Sequence, residues 1–527
     1  MKNKLALSIS LALLMGLSGC SGDDGTDGSN GTDGQDGQSG LNSLISQSTL
    51  AMGDSQCVFG GTAFNSGLDS NSDGVLAENE ISQTSYVCQP NPVSQSGSSL
   101  PYSVLRNDLT DGARPDYQFE IRNGGYGSDA AADPANKNRF YALTDRGPNA
   151  VYTGTMGAGK KFPVEDYTPR IGLFELQANG DVKKIKEILL KRPDGSLISG
   201  LPNSSSLGGT GETPYDAEGN PILVDNSLPY DEQTNPLKLD DYGLDGEGLV
   251  ALSDGTFWIS DEYGPHIVHF DAEGKEIERI NAFADDERTV YNLPAEFANR
   301  RANRGMEGLT VTPDENTLVG IMQSTMHNPN SSVKNLDITR IVTIDLTTGE
   351  VGQYLYKQEK AQNSNSGIVA LSAHQFALIE RDGAFYNDTP SAMKYIYKID
   401  LSAATNLEAI SDSGDILQDP ALGLTISGLT LEQVVLEQGW TALESAGIVP
   451  ASKTLVADLV QQVSYPHDKM EGLWLIDSSH IGVLNDDDFA TWSTDGELEQ
   501  KYLDAGLNRV DQNTLYILDN LDLTTSE

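Results

Sequence analysis

GLDGEGLVALSDGTFWISDEYGPHIVHFD, residues 243–271, is the stretch whose reading decides the fold. Val250, Leu252, Phe257 and Ile259 are apolar, and Ser253-Asp254-Gly255 between them supplies a turn, so the centre reads as a two-strand hairpin. Asp245 and Glu247 precede the first strand, and Asp261 and Glu262 follow the second. A hairpin brings its ends together, so these carboxylates collect at one end of the unit. The pattern recurs. Glu307-Gly308-Leu309 opens a second copy and Glu471-Gly472-Leu473 a third. Degenerate copies begin at Ser366-Gly367-Ile368 and at Gly127-Ser128.

The step from Glu247 to Glu307 is 60 residues, and from Glu307 to Ser366 it is 59. The steps from Gly127 to Gly248 and from Ser366 to Glu471 are 121 and 105, about two units each. A fixed period of short strands and polar turns predicts an all-β chain with a β-propeller of five to seven blades. A sandwich of similar hairpins is the alternative.

Residues 1–20 read as an export signal: Lys2 and Lys4, an apolar run, then Leu17-Ser18-Gly19-Cys20, which resembles a bacterial lipobox. By that resemblance Cys20 carries the lipid, the membrane is a partner through that anchor, and Ser21 favours the outer membrane, on its periplasmic or outer face. Residues 21–40 place glycine at every third position without proline. That is an acidic tether, or a short collagen-like trimer. With 34 Lys and Arg against 77 Asp and Glu, the formal net charge of −43 argues against binding nucleic acid.

Residues 41–90 read as a small separate module, followed by a linker over 91–100. Cys57 and Cys88 are expected to pair in an oxidising compartment. Between them Asp69, Asn71, Asp73, Gly74, Val75 and Glu80 match a calcium loop. Alternate side chains offer oxygens, Gly74 permits the turn, Val75 gives a carbonyl, and Glu80 closes the site. An Asx-rich turn that binds nothing is the plainer alternative. The ISQTSYVC that follows reads as a strand, so this is a calcium loop outside the full helix–loop–helix.

The main domain is placed at 101–520. Residues 202–238 read as a loop insertion, and residues 429–463 have helical spacing and good helix formers. Within this domain Asp245-Gly-Glu-Gly-Leu249, Ser260-Asp-Glu-Tyr-Gly264, Asn303-Arg-Gly-Met-Glu-Gly-Leu309, Glu380-Arg-Asp-Gly383, Lys469-Met-Glu-Gly-Leu473, Asn485-Asp-Asp487 and Thr144-Asp-Arg-Gly147 occur in order. Together they resemble the phytase-like family, also called "esterase-like activity of phytase". The resemblance implies an exported propeller-like hydrolase acting on phosphate or other esters.

If the units are blades, Asp145, Glu247, Glu262, Glu307, Glu380, Glu471 and Asp486 ring one face, with Asp261 beside them. Clustered carboxylates need a cation or a basic side chain between them, and oxygen-only clusters suit calcium or magnesium. Arg146, Arg300, Arg301, Arg304, Arg381 and Lys469 are the basic candidates. A metal and arginines holding a small anionic ester for attack by water is one reading. Glu–Arg pairs that lock blades together are another, as is a non-catalytic propeller that binds a ligand or protein at the envelope. His327 and His467 are candidate proton carriers. G-x-S-x-G and H-E-x-x-H are absent, and Gly154-x4-Gly159-Lys160 fails as a P-loop because Lys161 replaces the Ser/Thr.

Overall fold

The computed structural model describes Gly31 and residues 40–525. The lipobox cysteine Cys20 and nearly all of the glycine-rich stretch lie outside them. Five sheets of the same plan, each with four antiparallel strands, follow one another along the chain, and in the second a fifth strand, Thr289–Asn292, adds in parallel. Blade 1 runs outward from Asp129–Ala132 through Arg139–Leu143 and Arg170–Leu176 to Val182–Leu189. Blades 2, 3 and 4 start with Gly246–Ala251, Met306–Val311 and Ser364–Ala370. Blade 5 holds Gly472–Asp477, His480–Leu484 and Thr514–Leu518, and Ser98–Ser99 from far upstream completes it. The five first strands touch in a closed cycle, so this is a five-bladed β-propeller.

The Glu-Gly-Leu triplet makes that cycle possible. A Cβ on Gly248 would overlap the backbone of Leu309, one on Gly308 the carbonyl of Ser366, and one on Gly367 the carbonyl of Glu471. Each glycine therefore sits where one blade's inner strand meets the backbone of the next. Asp129 closes the circle: its carboxylate accepts from the Leu249 amide at 2.9 Å and the Leu473 amide at 3.2 Å. First strands of blades that are not neighbours also touch across the axis, that of blade 4 meeting those of blades 1 and 2.

The two long steps do not contain extra blades, which corrects the two-unit reading of their length. The first is filled by the insertions Ala150–Gly154 and Gly157–Lys161, which pair with Thr213–Tyr215. The second holds a small sheet, Ile416–Asp419, Gly423–Ile426 and Leu429–Thr430, and helices Leu431–Gln438 and Trp440–Ser445. Thr430 caps the first of these helices, accepting from Gln433 N while the Gln433 side chain returns the bond. Leu431, Val434 and Val435 bury the helix face against Ile338 and Leu355 of blade 3. The expected helical run over 429–463 is interrupted, because Ser452–Asp458 is a strand, the outermost of blade 4. Its pairing with Lys394–Asp400 outweighs local helix spacing, as tertiary context does for short segments.

The chain divides into two compact units. The smaller comprises the described residues up to Ser46 together with residues 66–83, and it holds the candidate calcium loop. There Asp69 accepts from the amides of Asp73 and Gly74, both at 3.0 Å, and Glu80 from those of Ser70 and Ala77 at 2.8 and 3.1 Å. The larger unit takes residues 47–65 and everything from Thr84. It contains the Cys57–Cys88 disulfide, with the Cα atoms 5.1 Å apart, and the stretch after Glu80 is indeed a strand, Ile81–Cys88. Among the described residues no helix is long and apolar enough to cross a membrane.

Candidate functional site

In each blade the first strand begins where the second ends, so both termini open on the same face of the ring. A cavity of about 330 Å³ lies there on the axis. A repeated backbone irregularity aims the glutamates into it. In blade 2 the pairing Gly246↔Asp261 is followed by Gly248↔Ser260, which leaves Glu247 bulged between them. Blade 3 repeats this, with Glu307 between Met306↔Met322 and Gly308↔Ile321. A bulged residue steps out of the strand's alternation, and here both side chains line the cavity. Glu471, just before the first strand of blade 5, joins them.

Gln323 bridges two of these acids, donating from Nε2 to Glu262 Oε1 at 2.8 Å and to Glu307 Oε2 at 2.6 Å. Ser366 Oγ adds a bond to Glu307 at 3.3 Å. The Arg381 guanidinium donates to Glu471, with both groups buried. Arg146 meets Asp245 at 3.2 Å and Glu212 at 3.1 Å, and donates to Asn303 Oδ1 at 2.7 Å. Lys469 reaches Asp486 and Asp488, both at 2.6 Å.

Burial and mutual repulsion set the charge state. Burial, then Glu307 and Asp245, hold Glu247 well above the usual carboxylate range. Burial, then Asp245 and Glu307, do the same to Glu262. Burial pushes Glu307 and Glu471 up to about 7, the charge of Glu471 adding to the shift of Glu307. The folded form thus holds these protons more tightly than the unfolded chain, whose glutamates titrate near ~4.3. Their contribution to stability accordingly falls as pH rises from about 4.3 through about 7. Glu307→Gln is expected to flatten that fall, seen as a smaller drop in Tm between pH 5 and 8 than in the unsubstituted protein. An equal drop in both would take Glu307 out of the linkage.

Arg304 and Lys160 differ from the other cations on the wall. Both are half-buried and line the cavity, and among the described residues neither has a carboxylate within ion-pair distance. Arg304 touches only Ser364 Oγ, at 3.5 Å. Burial pulls the pKa of both downward, helped for Lys160 by Arg146 and for Arg304 by Arg301.

Of the residues expected on this face, Asp145, Arg146, Glu247, Glu262, Arg304, Glu307, Arg381 and Glu471 line the cavity, and Lys469 with them. Asp486 stands behind Lys469. Asp261 is buried beneath, accepting from the Asp245 and Gly264 amides at 2.8 and 2.9 Å. Glu380 points away from the cavity. The pairings Gly246↔Asp261 and Asn365↔Glu380 make it the counterpart of Asp261, so Arg381 is the counterpart of Glu262. Glu380 meets Tyr356 Oη at 2.7 Å and Lys453 at 3.1 Å instead. Arg300 is spent on the Tyr263 and Gly208 carbonyls. His467 is buried between Asp511 at 2.7 Å and Tyr516 Oη at 2.9 Å, and neither it nor His327 borders the cavity.

The structure adds Lys160, Asn303, Gln323, Asp488 and Trp492 to the wall. Gln323 was readable, since it follows the second strand of blade 3 as Glu262 follows that of blade 2. Lys160 comes from an insertion and carries no such mark. Among the described residues, Asp245, Glu247 and Glu262 form the one carboxylate group whose oxygens all lie within 4.8 Å of one another. Asp69, Asp73 and Glu80 do not meet that distance.

Residues 42–88 match a domain of unknown function, DUF7151. An uncharacterized secreted protein of Arthroderma benhamiae is 28% identical over 245 residues, which are 39% of this chain and 45% of that protein. The chain thus spans under half the length of this relative. Among solved structures, a Lactobacillus plantarum protein covers 91% of this chain and 98% of its own (TM-score 0.28, 10% identity). Virginiamycin B lyase from Staphylococcus aureus covers 84% and 96% (0.24, 9%). The PQQ-bound aldose sugar dehydrogenase from Streptomyces coelicolor covers 91% and 99% (0.25, 9%). The profile described as "Esterase-like activity of phytase" matches residues 121–489, from the strand before blade 1 to the turn of Asp488 in blade 5, and the chain belongs to that phytase-like family.

Proposed function

We propose that this protein is an exported hydrolase of small anionic esters, phosphate esters foremost, working at the axial cavity. The observation that carries the reading is the pair Arg304 and Lys160, two cations on the cavity wall with no carboxylate within ion-pair distance among the described residues. An anionic group would supply that partner, and the planar Arg304 guanidinium suits a phosphate or carboxylate. Asp245, Glu247 and Glu262 fit a hard divalent ion, calcium or magnesium. They are oxygen donors only, close together, and the protons that burial forces on Glu247 and Glu262 leave if a cation arrives. Such an ion, when bound, polarises an ester oxygen and makes water a better nucleophile. Around it, Arg304 and Lys160 orient the anion, Gln323 holds Glu262 and Glu307 in place, and Glu307 accepts and returns a proton near neutral pH. The lipobox-like leader and the description of the Arthroderma relative as secreted support export, with an outer-membrane lipid anchor at Cys20 as the finer form of that reading.

The test is release of nitrophenol from phosphate monoester, phosphodiester and short acyl ester, with calcium, magnesium or a chelator. Turnover that the chelator removes is expected, with Arg304→Ala and Lys160→Ala each lowering kcat/KM about 10- to 100-fold. No turnover on any ester, with an anion bound tightly and unchanged, would leave a binding propeller.

The loop of Asp69, Asn71, Asp73, Val75 and Glu80 is proposed to hold a structural calcium ion of weak affinity, about 10⁻⁴–10⁻³ M. Calorimetry on the whole chain is expected to show a weak calcium event that Asp73→Ala and Glu80→Ala remove. Its survival in both variants would place the ion elsewhere.

A further inference from the structure

A second cavity of about 300 Å³ shares one wall with the axial one, and that wall is Trp492. Trp492 stands on the hairpin Thr491–Thr494 and Glu497–Gln500, which belongs to no blade. The indole is 40% exposed, whereas Trp258 and Trp474 are 2% and 1% exposed in the blades. A large flat apolar surface left open between two cavities gains from being covered. Phe385 and Tyr502 border the second cavity, together with Asp388, Glu499 and Asp504. Among the described residues, none of these three carboxylates has an ion pair. The one lysine on that wall, Lys501, is already taken up by Asp468, Asp488 and Asp511 at 2.9, 2.6 and 3.4 Å.

The charges therefore sort the two cavities. The second cavity offers no cation free of a carboxylate, whereas the first, acidic as much of its wall is, offers Arg304 and Lys160, so the anionic group is assigned to the first. Glu499 accepts from Thr494 Oγ1 at 2.7 Å and Asp504 from Asn508 Nδ2 at 3.3 Å, each through one oxygen, so these carboxylates and Asp388 keep capacity to accept from hydroxyl or amino groups, and the aromatic wall takes the face of a ring.

We infer that the second cavity is a subsite for the neutral part of the ester, a ring bearing hydroxyl or amino donors that stacks on Trp492 while its anionic group sits at Arg304 and Lys160. This rests on the reading of the axial cavity as an anion site. The substrates are then ring-bearing phosphate esters, and short aliphatic ones are poor ligands. A stacked ring contributes up to about tenfold in affinity, the upper end of the ~0.5–1.5 kcal/mol that aromatic stacking is worth.

The experiment is calorimetry on the full chain with inorganic phosphate, methyl phosphate, phenyl phosphate and 4-aminophenyl phosphate. Phenyl phosphate is expected to bind up to about tenfold tighter than methyl phosphate, and the amino compound tighter again. Trp492→Ala should bring the phenyl-to-methyl ratio close to one, and Trp492→Phe should keep most of it, with Tm verifying that both variants fold. Asp388→Asn, Glu499→Gln and Asp504→Asn together should remove the amino preference alone. Equal affinity for phenyl and methyl phosphate, or a ratio that survives Trp492→Ala, overturns the subsite and leaves the anion site standing. Methyl phosphate binding that ignores Arg304→Ala and Lys160→Ala, or no binding of any phosphate, overturns the anion site, and the subsite with it.

Discussion

Replacing Arg381 with methionine is expected to destabilise the protein by about 3–5 kcal/mol at pH 8. Arg381 and Glu471 are both buried, and the guanidinium of one lies on the carboxylate of the other. Methionine keeps much of the volume but leaves the buried Glu471 without its cation beside Glu307. The loss should shrink at pH 5, because burial holds Glu471 up at about 7 even with Arg381 lowering it, and without that cation the carboxyl takes a proton more readily still. Adding Glu471→Gln should restore most of the stability at pH 8, since an absent pair is tolerated better than a broken one. Denaturant unfolding of the two variants at both pH values measures this. A single variant as stable as the starting protein at pH 8 would show that the pair does not hold blades 4 and 5 together.

The second large effect is on metal. Glu247→Gln keeps the size of the side chain in its bulge and removes one of three clustered charges. Calcium or magnesium affinity is expected to fall at least 100-fold, in line with loss of a direct ligand. In metal-free solution the same change should raise Tm at pH 8, because burial, and after it Glu307, Asp245, Glu471 and Glu262, disfavour charge at this position. Glu262→Gln should behave likewise, and the double variant should lose little more affinity than either single one. Unaltered metal binding in both would remove the cluster from the mechanism. A Tm that falls instead would make these acids structural.

Much of this arrangement was legible in the chain, for a physical reason. Where an inner strand must touch the backbone of the next blade, only glycine fits, and the Glu-Gly-Leu triplet repeats at Glu247, Glu307 and Glu471, with Ser366-Gly367 in its place in blade 4. The blade number was less legible. Insertions as long as a blade carry the same turns and short strands, so two intervals near 110 residues imitate doubled units. Glu380 misleads through a shift of one residue. Beside Arg381 it looks like a ring position, but in strands neighbours face opposite ways. The strand Ser452–Asp458 hid in helical spacing because pairing partners over fifty residues away decide it. Lys160 reaches the cavity from an insertion that follows no repeat, and Trp492 from a hairpin outside the blades, so period alone could point to neither.

The contact of first strands across the axis has a kinetic side. With the first strand of blade 4 close to those of blades 1 and 2 as well as to its neighbours, the ring is narrow at its centre, and the axial cavity opens on the face where the glutamates gather. A liberated anion held by Arg304 and Lys160 then stands in the way of the next substrate molecule, so inorganic phosphate should act as a competitive inhibitor and the rate of its escape should cap turnover.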